Sequence, residues 1–208
     1  MEFKGKSLRT RMRILDAAEP LLKRLGLAGL RMETLASHLG VSKKTLYNHF
    51  PGGKREIWRL CVERRMEESS QHLFTAMRDA SRGFVERGID LIRIGQEATE
   101  ELYGPNGLVA PGADADYYLP EHKQQLVEGL EGFFAEGVSL GVLRSNIPLH
   151  ALSTAVVTLI LEWGREGGPS LDNGGASLPV FVETVLLCGI LSEDSRHRYV
   201  QRFKEGSQ

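Results

Sequence analysis

Apolar residues along this chain recur mainly at spacings of three and four, the period of a helix, rather than at the alternate positions of a strand. In "LRTRMRILDAAEPLLKRLG" the residues Ile14, Ala17, Ala18, Leu21, Leu22 and Leu25 form one stripe, which predicts a first helix closed by Gly26. Pro20 lies inside that pattern, where its ring and missing N–H should bend or shorten the helix. "METLASHLG" predicts a short second helix with Met32, Leu35, Ala36 and Leu39 inward and Gly40 at its end. Ser42 then stands where a side-chain oxygen can cap the next helix, "KKTLYNHF". Pro51, Gly52 and Gly53 stop this third helix, and "KREIWRLCVERRMEESSQHLFTAMRDA" reads as a long amphipathic fourth.

The remainder follows the same period. Ser81 to Tyr103 is a helix with Phe84, Ile89, Ile92 and Leu102 among its apolar positions, and Gly104 to Tyr118 reads as loop. Pro120 to Leu140 turns Leu126, Leu130, Phe133 and Phe134 inward. "PLHALSTAVVTLILEWGREGG" and "LPVFVETVLLCGILSE" are apolar helices separated by the loop "PSLDNGGAS", and a basic tail, "RHRYVQRFK", follows. Val156 and Val157 could sit in a strand, but the length and flanks of their segment favour helix. The expectation is an all-α protein. The last two helices are apolar over more than one stripe, so each needs two partners. Pairing with a second copy through Val156, Leu159, Ile160, Trp163, Val182, Val185 and Leu186 meets that need, and a central place in a monomer's core is the alternative.

Composition narrows the class. In 208 residues, 41% hydrophobic and 25% charged, no apolar run is long enough to span a bilayer, and the basic start lacks the apolar stretch of a secretory signal. A soluble cytoplasmic protein without membrane contact is expected. Cys61 and Cys188 are the only cysteines, far apart and without metal-ligand spacing, so they read as packed or free thiols. A redox switch at Cys61 is conceivable because basic residues flank it. The six histidines show no HExxH pairing, "DADYY" lacks the oxygen ligands of a calcium loop, and "GREGGPSLDNGG" lacks the GK[ST] of a phosphate loop. No nucleophile is flanked by a base. An enzyme, a metal or a cofactor is therefore not expected.

Net charge is −1, but it is unevenly divided. Residues 1 to 65 hold 15 Lys+Arg against 6 Asp+Glu, whereas residues 66 to 208 hold 11 against 21. A basic module for a polyanion joined to an acidic body is the reading this supports. Residues 33 to 50 add the logic of a helix-turn-helix, with Ala36 small at the crossing, Gly40 at the turn, and Val41, Leu46 and Phe50 inward. Lys43 and Tyr47, and Lys44 and Asn48, are four apart and share the outer side of the third helix, with Thr45 and His49 at its edges. Lys can donate to guanine, Asn can pair with adenine, and Tyr can reach a phosphate, so this face fits a major groove. Lys54 and Arg55 open the fourth helix, where the dipole adds to their pull on a phosphate.

With these residues in place, "ILDAAEPLLKRLGLAGLRMETLASHLGVSKKTLYNHF" and the Lys after it resemble the DNA-binding domain of the TetR/AcrR family of bacterial regulators. The resemblance covers residues 9 to 60, about a quarter of the chain, and is most specific in "GVSxxTLYxHF". It implies an all-α homodimer that binds a palindromic operator, blocks transcription and is released by a small-molecule effector. It carries the family's DNA-contacting positions onto Ser42, Lys43, Lys44, Thr45, Tyr47, Asn48, His49 and Lys54. Two departures stand out. Where the family commonly has a capping Thr or Ser at the start of the second helix, this chain has Arg31, which could itself hold a phosphate. The link "PGG" is one residue longer than the usual two, which alters the reach of Lys54.

The implied division is a DNA-binding domain over residues 1–53 and a helical effector-binding and dimerisation domain over 54–208. Polar or aromatic residues on apolar faces of that body are the effector candidates: Arg93, Glu97, Glu101, Tyr103, Tyr117, Tyr118, His122, Phe134 and Trp163. Each also has a plain structural reading, Arg93 with Glu97 as a solvated i,i+4 pair and the aromatics as core. "YGPNGLVAPGADADYY" has the composition of an entrance or lid. The competing class of function is a helical protein–protein interaction module whose basic face docks an acidic partner.

Overall fold

In a computed structural model of the chain, which describes residues 2–104, 106–109, 120–165 and 188–195, the apolar stripes become helices. These are α1 (Glu2–Gly29), α2 (Met32–Leu39), α3 (Lys43–His49), α4 (Gly53–Arg78), α5 (Phe84–Tyr103), α6 (Pro120–Ser139) and α7 (Leu149–Arg165), followed by one helical turn at Cys188–Ile190. The described residues contain no strand, and an isolated antiparallel bridge joins Leu143 to Leu191. Among them no helix is long and apolar enough to cross a membrane, and no group of three or more His, Cys, Asp or Glu could hold a metal ion. Tyr117, Tyr118, Val182, Val185, Leu186, the segment 169–177 and the tail from 196 lie outside the described residues, as does the side chain of Trp163.

One predicted boundary holds and another shifts, each for a local reason. α1 runs through Pro20, which sits on its exposed side, without being cut short, and breaks at the expected Gly26, whose φ of 65° is outside helical space. α5 begins at Phe84 rather than Ser81, because Asp79 accepts from the Ser81 N–H at 3.0 Å and from its hydroxyl, tying the segment into a turn. The Glu86 carboxylate then caps the start of α5 through the Gly83 N–H at 3.0 Å.

The described residues fall into two compact units: Met1–Glu68 with Ala98–Ala115, and Ser69–Glu97 with Asp116–Gln208. In the first, α1, α2 and α3 pack on one another, and Ile14, Ala18, Leu22, Leu30, Leu35, Leu46, Phe50, Ile57 and Cys61 are nearly or wholly removed from solvent. Burial of each such large side chain contributes about 1.5–3 kcal/mol, so this small unit gains much of its stability here. Leu15 is buried and Leu25 is 41% exposed, so the stripe of α1 is displaced by part of a turn from the sequence pattern. Glu19 is also buried and is held by Arg64 and Arg65 of α4, with Arg64 also on Asp16. The segment after α5 belongs to this unit: the Trp58 indole N–H donates to the Leu108 carbonyl at 2.6 Å, and Leu108 and Val109 are buried.

The second unit has its own core, built from Met77, Leu91, Val127, Leu130, Phe133, Phe134, Leu143, Val156, Val157, Ile190 and Leu191. α6 and α7 pack side by side in it, and Phe84 stacks on Phe133 with ring centres 4.4 Å apart. Arg87 is buried against both rings, and its guanidinium is held by the Met77 carbonyl and the Glu136 carboxylate.

Candidate nucleic-acid interface

The turn between α2 and α3 is made by backbone geometry that the sequence dictates. Gly40 takes φ 66° and ψ 31°, a left-handed conformation open to Gly at little cost, and the Val41 N–H reaches back to the Ala36 carbonyl at 3.0 Å. Ser42 Oγ then accepts from the Thr45 N–H at 3.1 Å and lies 2.9 Å from the Thr45 hydroxyl, so α3 starts capped. Arg31 sits extended at the start of α2 with no side-chain cap, as its chemistry requires.

Leu46 and Phe50, both fully buried, fix which side of α3 faces out. Lys43, Lys44, Tyr47 and Asn48 are exposed together, Tyr47 by 47%, while Thr45 and His49 lie half-buried at the edges. The side chains of Lys44, Asn48 and Arg31 make no hydrogen bond or ion pair among the described residues. Lys43 differs: its ammonium is paired with the Glu33 carboxylate in the first turn of α2. That hydrogen bond holds the Glu33 carboxyl below its ordinary range and the Lys43 ammonium above its own.

The Pro-Gly-Gly link is a formed turn. The Gly53 N–H donates to the Phe50 carbonyl at 2.9 Å, and the Gly52 N–H donates to the Glu56 carboxylate at 2.8 Å. Gly53 has φ 63°, and a Cβ there would stand 3.3 Å from the Tyr47 ring, so the glycine both permits the turn and leaves the ring its place. Arg11 braces the same corner: it donates to the His49 carbonyl, lies 4.4 Å from the centre of the Phe50 ring, and pairs with Glu56 at 3.6 Å. Sequence reasoning missed Arg11, whose partners are 38 or more residues away and leave no local signal.

Lys54 is placed differently from a free phosphate-binding cation. Its ammonium donates to the carbonyls of Ala28 and Leu30, each at 3.2 Å, and so ties the start of α4 to the end of α1. Arg55, next to it, is exposed and makes no ion pair or hydrogen bond among the described residues.

The described effector and dimer candidates fall in both units. Arg93 and Glu97 pair on an exposed face at 3.1 Å, with Asp90 also on Arg93, and Glu101 pairs with Arg65 at 3.3 Å. Tyr103 is buried in the first unit, Phe134 is buried in the core of the second, and His122 is half-buried on α6. On α7, Val156 faces the core, Ile160 packs partly against it and Leu159 is 39% exposed. Cys61 is fully buried, and burial pushes its thiol up to about 12, so the flanking arginines do not make it a thiolate.

A small trihelical unit whose helix-turn-helix carries a capped, outward-facing second helix has the architecture of a DNA-binding domain. Residues 14–59 match the family model described as "Bacterial regulatory proteins, tetR family". The fold extends the likeness over nearly the full chain. It is similar to a TetR-family transcriptional regulator from Pectobacterium atrosepticum, at TM-score 0.70 and 21% identity, covering 91% of this chain and 97% of that one. It is similar also to a γ-butyrolactone receptor described as ArpA-like, at 0.59 and 19%, covering 94% of each chain. AibR, solved with isovaleryl coenzyme A and operator DNA, matches at 0.56 and 16%, covering 86% of this chain and 96% of that one. No curated protein matches the chain.

Proposed function

We propose that the chain is a homodimeric cytoplasmic repressor, with operator binding in residues 1–53 and effector binding and dimerisation in residues 54–208, and that a small molecule releases it from DNA. The observation that carries the DNA half is the exposed, polar outer face of α3 above a fully buried Leu46 and Phe50. Asn48, unpartnered at the centre of that face, reads a base edge, and Lys44 and Tyr47 flank it for the phosphates. Arg31 and Ser42 contact the backbone from the helix starts, Thr45 and His49 from the edges. With Lys54 engaged on Ala28 and Leu30, Arg55 is the free cation at the start of α4 and takes the phosphate there. The release half is supported by likeness: AibR was solved with both an acyl coenzyme A and operator DNA.

Two half-sites in a major-groove dimer lie about 34–36 Å apart, one turn of B-DNA, or at a multiple of it. Selection of bound sequences from a random duplex pool should therefore return an inverted repeat. On that site Asn48→Ala should lose about tenfold or more in affinity while its binding to random duplex stays near wild type. Tyr47→Ala should weaken both. Equal losses on both DNAs for Asn48→Ala would remove the base-reading role, and no salt-sensitive binding of any duplex would favour an acidic protein partner instead.

A further inference from the structure

The basic N-terminal block holds six acidic residues, and only one of them, Glu33, lies between residues 20 and 55. Four of the others are committed to the scaffold: Asp16 and Glu19 to Arg64 and Arg65, Glu56 to Gly52 and Arg11, and Glu63 to Arg59. Glu33 is different in where it sits and what it holds. It is in the first turn of α2, it is exposed, and its carboxylate is hydrogen-bonded to Lys43, the first residue of the helix that faces the groove. An anion has thus been placed beside the surface that meets phosphates, on the very cation that would otherwise meet them first.

We infer that Glu33 is a specificity-determining residue that occupies Lys43 in the free protein and withholds it from sequence-independent phosphate contact. The inference rests on the DNA-binding reading of α3. On an arbitrary duplex, Lys43 gains little by exchanging a carboxylate for a phosphate, because the exchange leaves Glu33 unpaired and facing the polyanion. Sequence-independent affinity is thereby lowered by about one phosphate contact. At a site that presents guanine O6 and N7 to Lys43, or that seats α3 deeply enough for Lys43 to bridge Glu33 and the duplex, the cation is released or shared. The ratio of specific to non-specific binding rises because the second term falls. Lys44, exposed and without a partner among the described residues, carries the sequence-independent contact that Lys43 does not.

The test is a double-mutant cycle on full-length protein with a fluorescein-labelled random-sequence duplex, read by anisotropy from 0.05 to 0.3 M NaCl as an on-the-order-of working range. Glu33→Gln keeps the shape and removes the charge, and Lys43→Gln removes the partner. Freed from Glu33, Lys43 should add one phosphate contact, tightening Glu33→Gln by up to about eightfold at ~0.1 M salt and steepening the log K against log salt slope by about 0.9. Lys43→Gln alone leaves Glu33 unpaired and should bind random duplex no more tightly than wild type. Replacing Glu33 in that background should give a clearly smaller gain than Glu33→Gln gives alone. An unchanged Glu33→Gln, or a gain that persists undiminished when Lys43 is also replaced, overturns the inference, since the second result would be a bulk charge effect. If wild type itself shows no salt-sensitive duplex binding, the DNA-binding reading fails and the inference with it; binding by wild type with no coupling between the two positions removes the inference alone.

Discussion

Single residues settle several chemical questions that charge and spacing left open. Cys61 is flanked in sequence by basic residues, the pattern of a reactive thiol, yet it is fully buried and its pKa is pushed up to about 12 by that burial. In a Cys188→Ser background, native protein at about pH 8 should therefore react with a thiol reagent far more slowly than the denaturant-unfolded chain. Comparable rates would show an accessible, ionised Cys61. Glu19 presents the opposite case. Burial alone would raise its carboxyl, but hydrogen bonds and charge from Arg65 and Arg64 hold it below its ordinary range. The stabilisation this brings is complete above the ordinary carboxylate value of 4.5 and is lost as pH falls through the lowered native value. Glu19→Gln should cost about 1–3 kcal/mol near neutral pH, with the deficit shrinking under acid, measured by urea unfolding at several pH values. A deficit that does not change with pH would mean that packing, not charge, is what Gln disturbs.

At the level of elements, the helix-turn-helix was the most legible part of the chain because its signals are local. A left-handed Gly40, a capping Ser42 and an apolar Leu46 and Phe50 act within one or two turns of helix, so their order in sequence is nearly their order in space. Boundaries set by competition were less legible. Pro20 predicts a bend or a shorter helix, but α1 continues through it and breaks only at Gly26, the predicted end, where positive φ interrupts the helix. The helix carries the proline on its exposed side, stabilised by the packing of Ile14, Ala18, Leu21 and Leu22 on its other face. Pro20→Ala should restore a backbone hydrogen bond and stabilise the domain by up to about 3 kcal/mol, read as a higher midpoint in urea or heat. A lower midpoint would mean that the proline shapes a bend the domain requires.

On the scale of the whole molecule, the asymmetry of charge marked a basic N-terminal end and an acidic body before any contact was known. Assembly is the property that a single chain leaves to experiment. Of the residues expected at a dimer interface, Leu159 is the exposed one among those described on α7, since Val156 lies in the core and Ile160 packs partly against it. If α7 pairs with a second copy, Leu159→Glu should shift the protein from dimer toward monomer in sedimentation equilibrium and weaken operator binding, because half-site affinity alone remains. A dimer unaffected by this change would place the interface elsewhere.

From α2 through α3, helical period, capping and charge type are encoded within a few residues, so the local fold and the outward face were legible in the sequence alone. Tertiary structure alone decided which of the cations on that unit are free. Lys54, a phosphate candidate, reaches the carbonyls of Ala28 and Leu30, Lys43 is held by Glu33, and Arg11, unnoticed in sequence, braces His49 and Phe50. The link to Lys54 illustrates the physical reason. A charged side chain is long and flexible, so its partner is chosen by whatever carbonyl or carboxylate the fold brings within reach, and those groups lie ten to 48 residues away for Lys43, Lys54, Arg11 and Arg64.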